Sequence, residues 1–244
     1  MDYVLAMVIS LITALITMPF LMKLANKLHF TDKPSKRKQH KVPTPLCGGL
    51  ALYFGFFVSY FIFLRDSMLQ QITVFVAATM IIIIGLIDDW HKTKGKEFAI
   101  FPRLVIQLLS AILVFKAGIF FGGFTNPFTG TYIELNPTIQ FILTITWIFG
   151  VTTVINWSDG MDGLAGGLSL ISAITFFLAA IILDQSGSAL VSIMLVGTIL
   201  GFLYYNRFPA KVFMGDSGAN FLGFILSITA LEGAFKQATV LSLF

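Results

Sequence analysis

Five acidic residues stand in or beside apolar runs of the chain, where an unpartnered charge is expensive. Asp88 and Asp89 are adjacent in "GLIDDW", Asp159 and Asp162 stand three apart in "NWSDGMDGLAGG", and Asp216 lies in "MGDSGAN". Two adjacent carboxylates at the end of a helix oppose its dipole and call for a cation, either Lys92 or a metal ion. Asp159 and Asp162 share a face if their stretch is helical. Helix capping by Ser158 or Asp159 accounts for one acid there, but not for Asn156, the second acid and the glycines. Glycines let a backbone approach a ligand closely and build anion nests, and a helix N-terminus favours phosphate. Asp216 is read either as an N-cap or as a metal ligand. Carboxylate oxygens suit a hard cation such as Mg²⁺. One cysteine and three scattered histidines do not suggest zinc. Acids to hold a metal, with bases and glycines to hold phosphates, suit metal-assisted phosphoryl transfer.

The elements that must position these residues are membrane helices. The chain of 244 residues is 57% hydrophobic and 11% charged, and long apolar runs recur along it. The reading is an all-α, polytopic transmembrane helical bundle in one domain, 1–244, of about eight spans: 3–28, 46–64, 69–87, 101–118, 138–155, 163–183, 188–205 and 219–241. Nothing alternates as a β-barrel would. Asp2 precedes the first span and Lys23 and Lys27 follow its core, which is unlike a cleaved signal peptide. Thirteen of the sixteen Lys and Arg fall in 23–45, 88–103 and 206–218. The positive-inside bias therefore makes these segments cytoplasmic and the N-terminus external. All five acids then fall at cytoplasmic ends of spans, so a shared site at that face is expected, with a lipid as one substrate. Most of the charge on Lys36, Arg37, Lys38, His40 and Lys41 is read as meeting anionic lipid, with phosphate binding as the other use. "PTPLCGG" reads as a shaped loop. No aromatic-basic pattern suggests nucleic acid. An ion path is disfavoured because transport sites usually lie near the midplane.

Five blocks in order, "PSKRKQHKVPTPLCGGLA", "GLIDDW", "QLLSA", "INWSDGMDGLAGGLS" and "GFLYYNRFPAKVFMGDSGANFLG", resemble the polyprenyl-phosphate N-acetylhexosamine-1-phosphate transferases. This family is related to the phospho-N-acetylmuramoyl-pentapeptide transferases. The acidic motif does not fit the CDP-alcohol phosphotransferases. The resemblance implies a multi-pass enzyme of the bacterial plasma membrane with its active site on the cytoplasmic face. A lipid phosphate, undecaprenyl phosphate, would attack the β-phosphate of a UDP-N-acetylhexosamine such as UDP-N-acetylglucosamine, releasing UMP. "PSKRK" looks closest to the teichoic acid branch of cell wall biogenesis. Mg²⁺, or Mn²⁺, is implied as cofactor, with Asp216 and Asp159 as metal ligands. Asp88 and Asp89 would lie beside the attacking phosphate, one of them as base. Asn156, Asp159 and Asp162 match the motif lining the nucleotide pocket, and Lys41 and Thr44 stand where the first cytoplasmic loop approaches the nucleotide. Membrane lipid is an expected partner, nucleic acid is not, and a homodimer is compatible with the reading. Family members carry ten or eleven spans and a later His-rich loop. Here His29, His40 and His91 all lie early and the chain stops at "TVLSLF". The expectation is therefore a C-terminally shortened member, with an inactive or assembly-dependent relative as the alternative to a working enzyme.

Overall fold

The computed structural model describes residues 1–32, 42–64, 67–126 and 128–233. Within them the chain forms eight helices: α1 (Asp2–Lys27), α2 (Gly48–Phe63), α3 (Met68–Thr93), α4 (Ile100–Lys116), α5 (Pro137–Ser158), α6 (Leu164–Ile182), α7 (Ser186–Asn206) and α8 (Gly215–Gly233). Helices satisfy their own backbone groups, which lipid cannot do. Each overlaps one apolar segment of the sequence. Two bounds differ in a way that matters for the site: α3 runs on to Thr93, past the expected end at 87, and α8 begins at Gly215 instead of 219.

Five helices, α1, α3, α5, α6 and α7, are long and apolar enough to cross a membrane. The others are α2 with 16 residues, α4 with 17, and α8, in which nearly every residue from Gly215 to Leu231 is buried. A helix buried all round is a central post. Accordingly α8 packs against α2, α3, α5, α6 and α7, while α1 packs on α7 and α2. Small residues let these backbones approach. A β-carbon at Gly85 of α3 would overlap the Ser217 backbone of α8, and one at Gly223 of α8 would run into Thr152 of α5. Phe56 and Phe57 of α2 meet Phe221 of α8 at ring separations of 6.1 Å.

Two small antiparallel hairpins complete the described fold. β1 (Thr31–Asp32) pairs with β2 (Thr44–Pro45), with Thr31 opposite Pro45. β3 (Gly123–Thr125) pairs with β4 (Tyr132–Glu134), with Phe124 opposite Ile133. The segment after β2 is shaped by pairing with the chain ahead of α8. Phe213 N–H donates to the Pro45 carbonyl at 2.9 Å, Gly48 N–H to Phe213 at 3.0 Å and Gly49 N–H to Met214 at 3.1 Å. "PTPLCGG" thus braces the approach to Asp216.

Candidate active site

Asp88 and Asp89 are inside α3, and successive helical residues point about 100° apart. The two acids therefore have separate tasks. Asp89, 1% exposed, turns onto the first turn of α8. It accepts from Asp216 N–H at 2.8 Å, Ser217 N–H at 3.1 Å and the Ser217 hydroxyl at 2.8 Å. A helix leaves its first N–H groups unpaired, and a carboxylate there also complements the dipole. Asp89 is thus the cap of α8, supplied from another helix. Gly215, at φ +73°, brings the backbone so close that a β-carbon there would strike the Asp89 carboxylate. Asp216 is therefore not an N-cap. It follows Gly215 in the first turn and leaves its carboxylate free to act outward.

Three groups from three other helices meet at Asp216. Its Oδ2 accepts from Lys92 Nζ and, at 3.3 Å, from Arg103. Its Oδ1 accepts from Asn156 Nδ2 at 3.4 Å. The same Arg103 nitrogen donates to Asp88 Oδ2 at 2.7 Å. Arg103 thus joins two carboxylates. Lys92 is the cation that the paired acids call for, but it goes to Asp216, and Asp88 takes Arg103.

Residues 159–163 are a turn between α5 and α6, so Asp159 and Asp162 do not share a helical face. Asp159 follows α5 as its C-cap, and α6 is capped by Gly163, neither Ser158 nor Asp159 serving there. Burial, reinforced by Asp216 and Asp89, pushes the Asp159 carboxyl up to about 7. Among the described residues its carboxylate accepts no hydrogen bond. Asp162 instead accepts from Ala210 N–H at 2.9 Å, tying this turn to the chain between α7 and α8. Asn206 makes a second tie. It accepts from Gly163 N–H at 3.0 Å and donates to the Val212 carbonyl at 2.8 Å. Thr44 is buried in its hairpin and donates to the Val42 carbonyl at 3.1 Å. Lys41 lies outside the described residues.

The structure therefore brings Asp88, Asp89, Asn156 and Asp216 into one cluster with Asp159 beside them, and gives Asp162 a bracing contact. Sequence reading passed over Arg103 and Asn206. Arg103 did carry a signal: it sits in the first turn of α4, where the dipole disfavours a cation that lacks an acidic partner. Asn206 carried none beyond its place in a quoted stretch. Among the described residues, no three Asp, Glu, His or Cys side chains stand ready to hold an ion as placed. Lys92 and Arg103 provide the positive charge there. Chemically, the cluster offers oxygen ligands and side-chain cations side by side.

Comparison with known proteins gives one family. The model described as Glycosyl transferase family 4 matches residues 71–234. The chain is 36% identical over 243 residues to the "Probable undecaprenyl-phosphate N-acetylglucosaminyl 1-phosphate transferase" of Bacillus subtilis (strain 168), covering 98% of this chain and 65% of that protein. It is 34% identical over 232 residues to the "Decaprenyl-phosphate N-acetylglucosaminephosphotransferase" of Mycobacterium leprae (strain TN), covering 86% of this chain and 56% of that one. With the "Phospho-N-acetylmuramoyl-pentapeptide-transferase" of Bacillus mycoides (strain KBAB4) the identity is 31% over 235 residues, covering 93% and 72%. The chain spans less than two thirds of the length of the first two relatives.

Proposed function

Because this chain belongs to glycosyl transferase family 4, we propose that it transfers an N-acetylhexosamine-1-phosphate from a UDP-sugar to a polyprenyl phosphate, releasing UMP. N-acetylglucosamine is the sugar and undecaprenyl phosphate the acceptor that best fit the Bacillus subtilis relative's name, and entry into cell-wall teichoic acid synthesis suits the "PSKRK" segment. The observation that carries the reading is the meeting of Lys92, Arg103 and Asn156 on the Asp216 carboxylate, beside Asp88. The alternative of an inactive relative has no such single observation in its favour.

The arrangement fits the electrostatic demands of phosphoryl transfer. A phosphate monoester with a second pKa near 6 is already largely ionised at neutral pH. Little proton abstraction is needed, and positioning and charge stabilisation dominate. Arg103 and Lys92 can exchange carboxylate for phosphate oxygens, since oxygens of either kind accept charge-assisted hydrogen bonds from them. Asp88 would then hold Arg103 in place while the guanidinium addresses the acceptor phosphate. Asn156 and the turn at Asp159 would face the nucleotide, with Asp162 holding that turn against the chain ahead of α8. The donor set also suits Mg²⁺, with Mn²⁺ as substitute. It is all oxygen, and such an ion takes one or two carboxylates and completes its shell with water and phosphate. Asp216 and Asp159 would hold it, and when bound it would neutralise diphosphate charge. We place the helices as about eight spans with the N-terminus outside and the cluster at the cytoplasmic face of the plasma membrane, on the Lys and Arg distribution. Lys41 and Thr44 are assigned to the nucleotide side from sequence alone, and a homodimer is compatible.

The test is transfer of labelled sugar phosphate into extractable lipid by membranes containing the protein, with UMP measured in parallel. Equal amounts of lipid-linked sugar and UMP, dependent on divalent cation, are expected. Lipid product accompanied by UDP would refute the reading.

A further inference from the structure

We infer that Gln107 and Asn220 are a positioning pair that sets the register of α4 against α8 and so delivers Arg103 to both carboxylates. Gln107 Nε2 donates to Asn220 Oδ1 at 3.1 Å, with both residues buried. Gln107 lies one turn beyond Arg103 on α4, and Asn220 one turn beyond Asp216 on α8. Residues four apart share a helix face. The Arg103–Asp216 contact and the Gln107–Asn220 contact join partners separated by the same 113 residues. They are two rungs of one ladder, about 6 Å apart along each helix. Sliding α4 by one residue would rotate both side chains about 100° away and break both rungs.

The ladder matters because α4 is not among the helices packed closely on α8; its neighbours are α3 and α5. Long side chains span the gap. Ser110, one turn further along α4, ties it to α3 by donating to the Ala77 carbonyl at 3.2 Å. Gln107 is the buried tie to α8. Packing alone does not explain the pair. Among the described residues Asn220 Nδ2 is buried and finds no partner, and a buried donor left unpaired is destabilising where two apolar side chains would not be. An amide pair retained at that cost points to its directional hydrogen bond, which fixes one register. Gln107 and Asn220 thus act through Arg103, and the kinetic part of this inference rests on the transferase reading.

The experiment uses the whole protein in membranes. Gln107→Leu and Asn220→Leu should each lower kcat about tenfold or more while changing either KM less than threefold. The double Leu variant should be no slower than the slower single one, because the pair works as a unit. Exchanging the amides, Gln107→Asn with Asn220→Gln, should recover kcat to within about threefold of the parent. A readout independent of turnover uses Arg103→Cys on a Cys47→Ser background. A cationic thiol reagent drawn to Asp88 and Asp216 should modify position 103 quickly, and adding Gln107→Leu should slow it about fivefold. Leu variants that lose thermal stability but keep kcat and the labelling rate would overturn the inference. If the parent protein shows no transfer, the transferase reading fails, and the labelling rates still decide the role of the pair.

Discussion

Adjacent acids in α3 should behave very differently when removed. Asp89→Ala strips the cap of α8 and leaves Asp216 N–H, Ser217 N–H and the Ser217 hydroxyl without their acceptor in a buried place. An unsatisfied buried donor costs about 1–3 kcal/mol. Partial repair by water holds the total below the sum of three, at ~3–5 kcal/mol. Asp88→Ala removes one ion pair, and Arg103, whose side chain is 30% exposed, retains Asp216. That loss should be ~1–2 kcal/mol. For a chain of this size, with about 2–4 °C per kcal/mol, the shifts are about 10 °C for Asp89→Ala and about 4 °C for Asp88→Ala. Asp89→Asn should fall between them, since one amide oxygen can still accept but its NH₂ faces the Asp216 N–H. The assay is thermal unfolding in detergent, read by a thiol-reactive dye. Cys47 is the chain's one cysteine and is 2% exposed, so it reacts when the fold opens. Equal shifts for the two Ala variants, or a smaller shift for Asp89→Ala, would refute the division of labour between cap and ion pair.

Asp216→Asn should lower transfer at least about a hundredfold, with unfolding within about 4 °C of the parent, because Asp89 and not Asp216 caps α8; activity and thermal unfolding measured together check this. The Asp159 carboxyl is raised to about 7 from an ordinary value near 4, so its ionisation opposes folding, and the penalty grows as pH rises from 4 through 7. Asp159→Asn should therefore unfold at a higher temperature than the parent at pH 8 with divalent cations chelated, and at no higher temperature at pH 4. Cysteines placed at positions 94 and 211 on a Cys47-free background should resist an impermeant reagent added to intact cells and react once the cells are opened; efficient labelling from outside would invert the topology.

Much of the fold was legible because lipid leaves the backbone few choices. Apolar runs had to be helices, and each run marks one to within a turn or so at most ends. The meeting of acids from distant segments was legible too, since their chain positions share the strongly basic side of the charge pattern. What each acid does there was not. "DD" gives no hint that one residue caps α8 and the other takes Arg103, because that follows from α3 continuing past the acids to Thr93. A helical reading of "SDGMDG" paired Asp159 with Asp162, whereas the positive φ of Gly163 ends that possibility and sends Asp162 to Ala210. Arg103 entered only the count of basic residues in 88–103, because its partners are 15 and 113 residues away.

The burial of α8 on nearly every side has a consequence for motion. Amide protons at its start, locked by Asp89, can reach solvent only when the surrounding bundle comes apart, so their hydrogen exchange should track global unfolding. The helix that carries Asp216 then has no small opening motion of its own. The Asp216 side chain keeps 16% of its surface open beside Lys92, whose side chain is 46% exposed, so reactants reach the cluster while the helix stays intact. Asp162 and Asn206 stitch the turn 159–163 to the segment 207–214, so those two pieces should move together while α8 stays fixed.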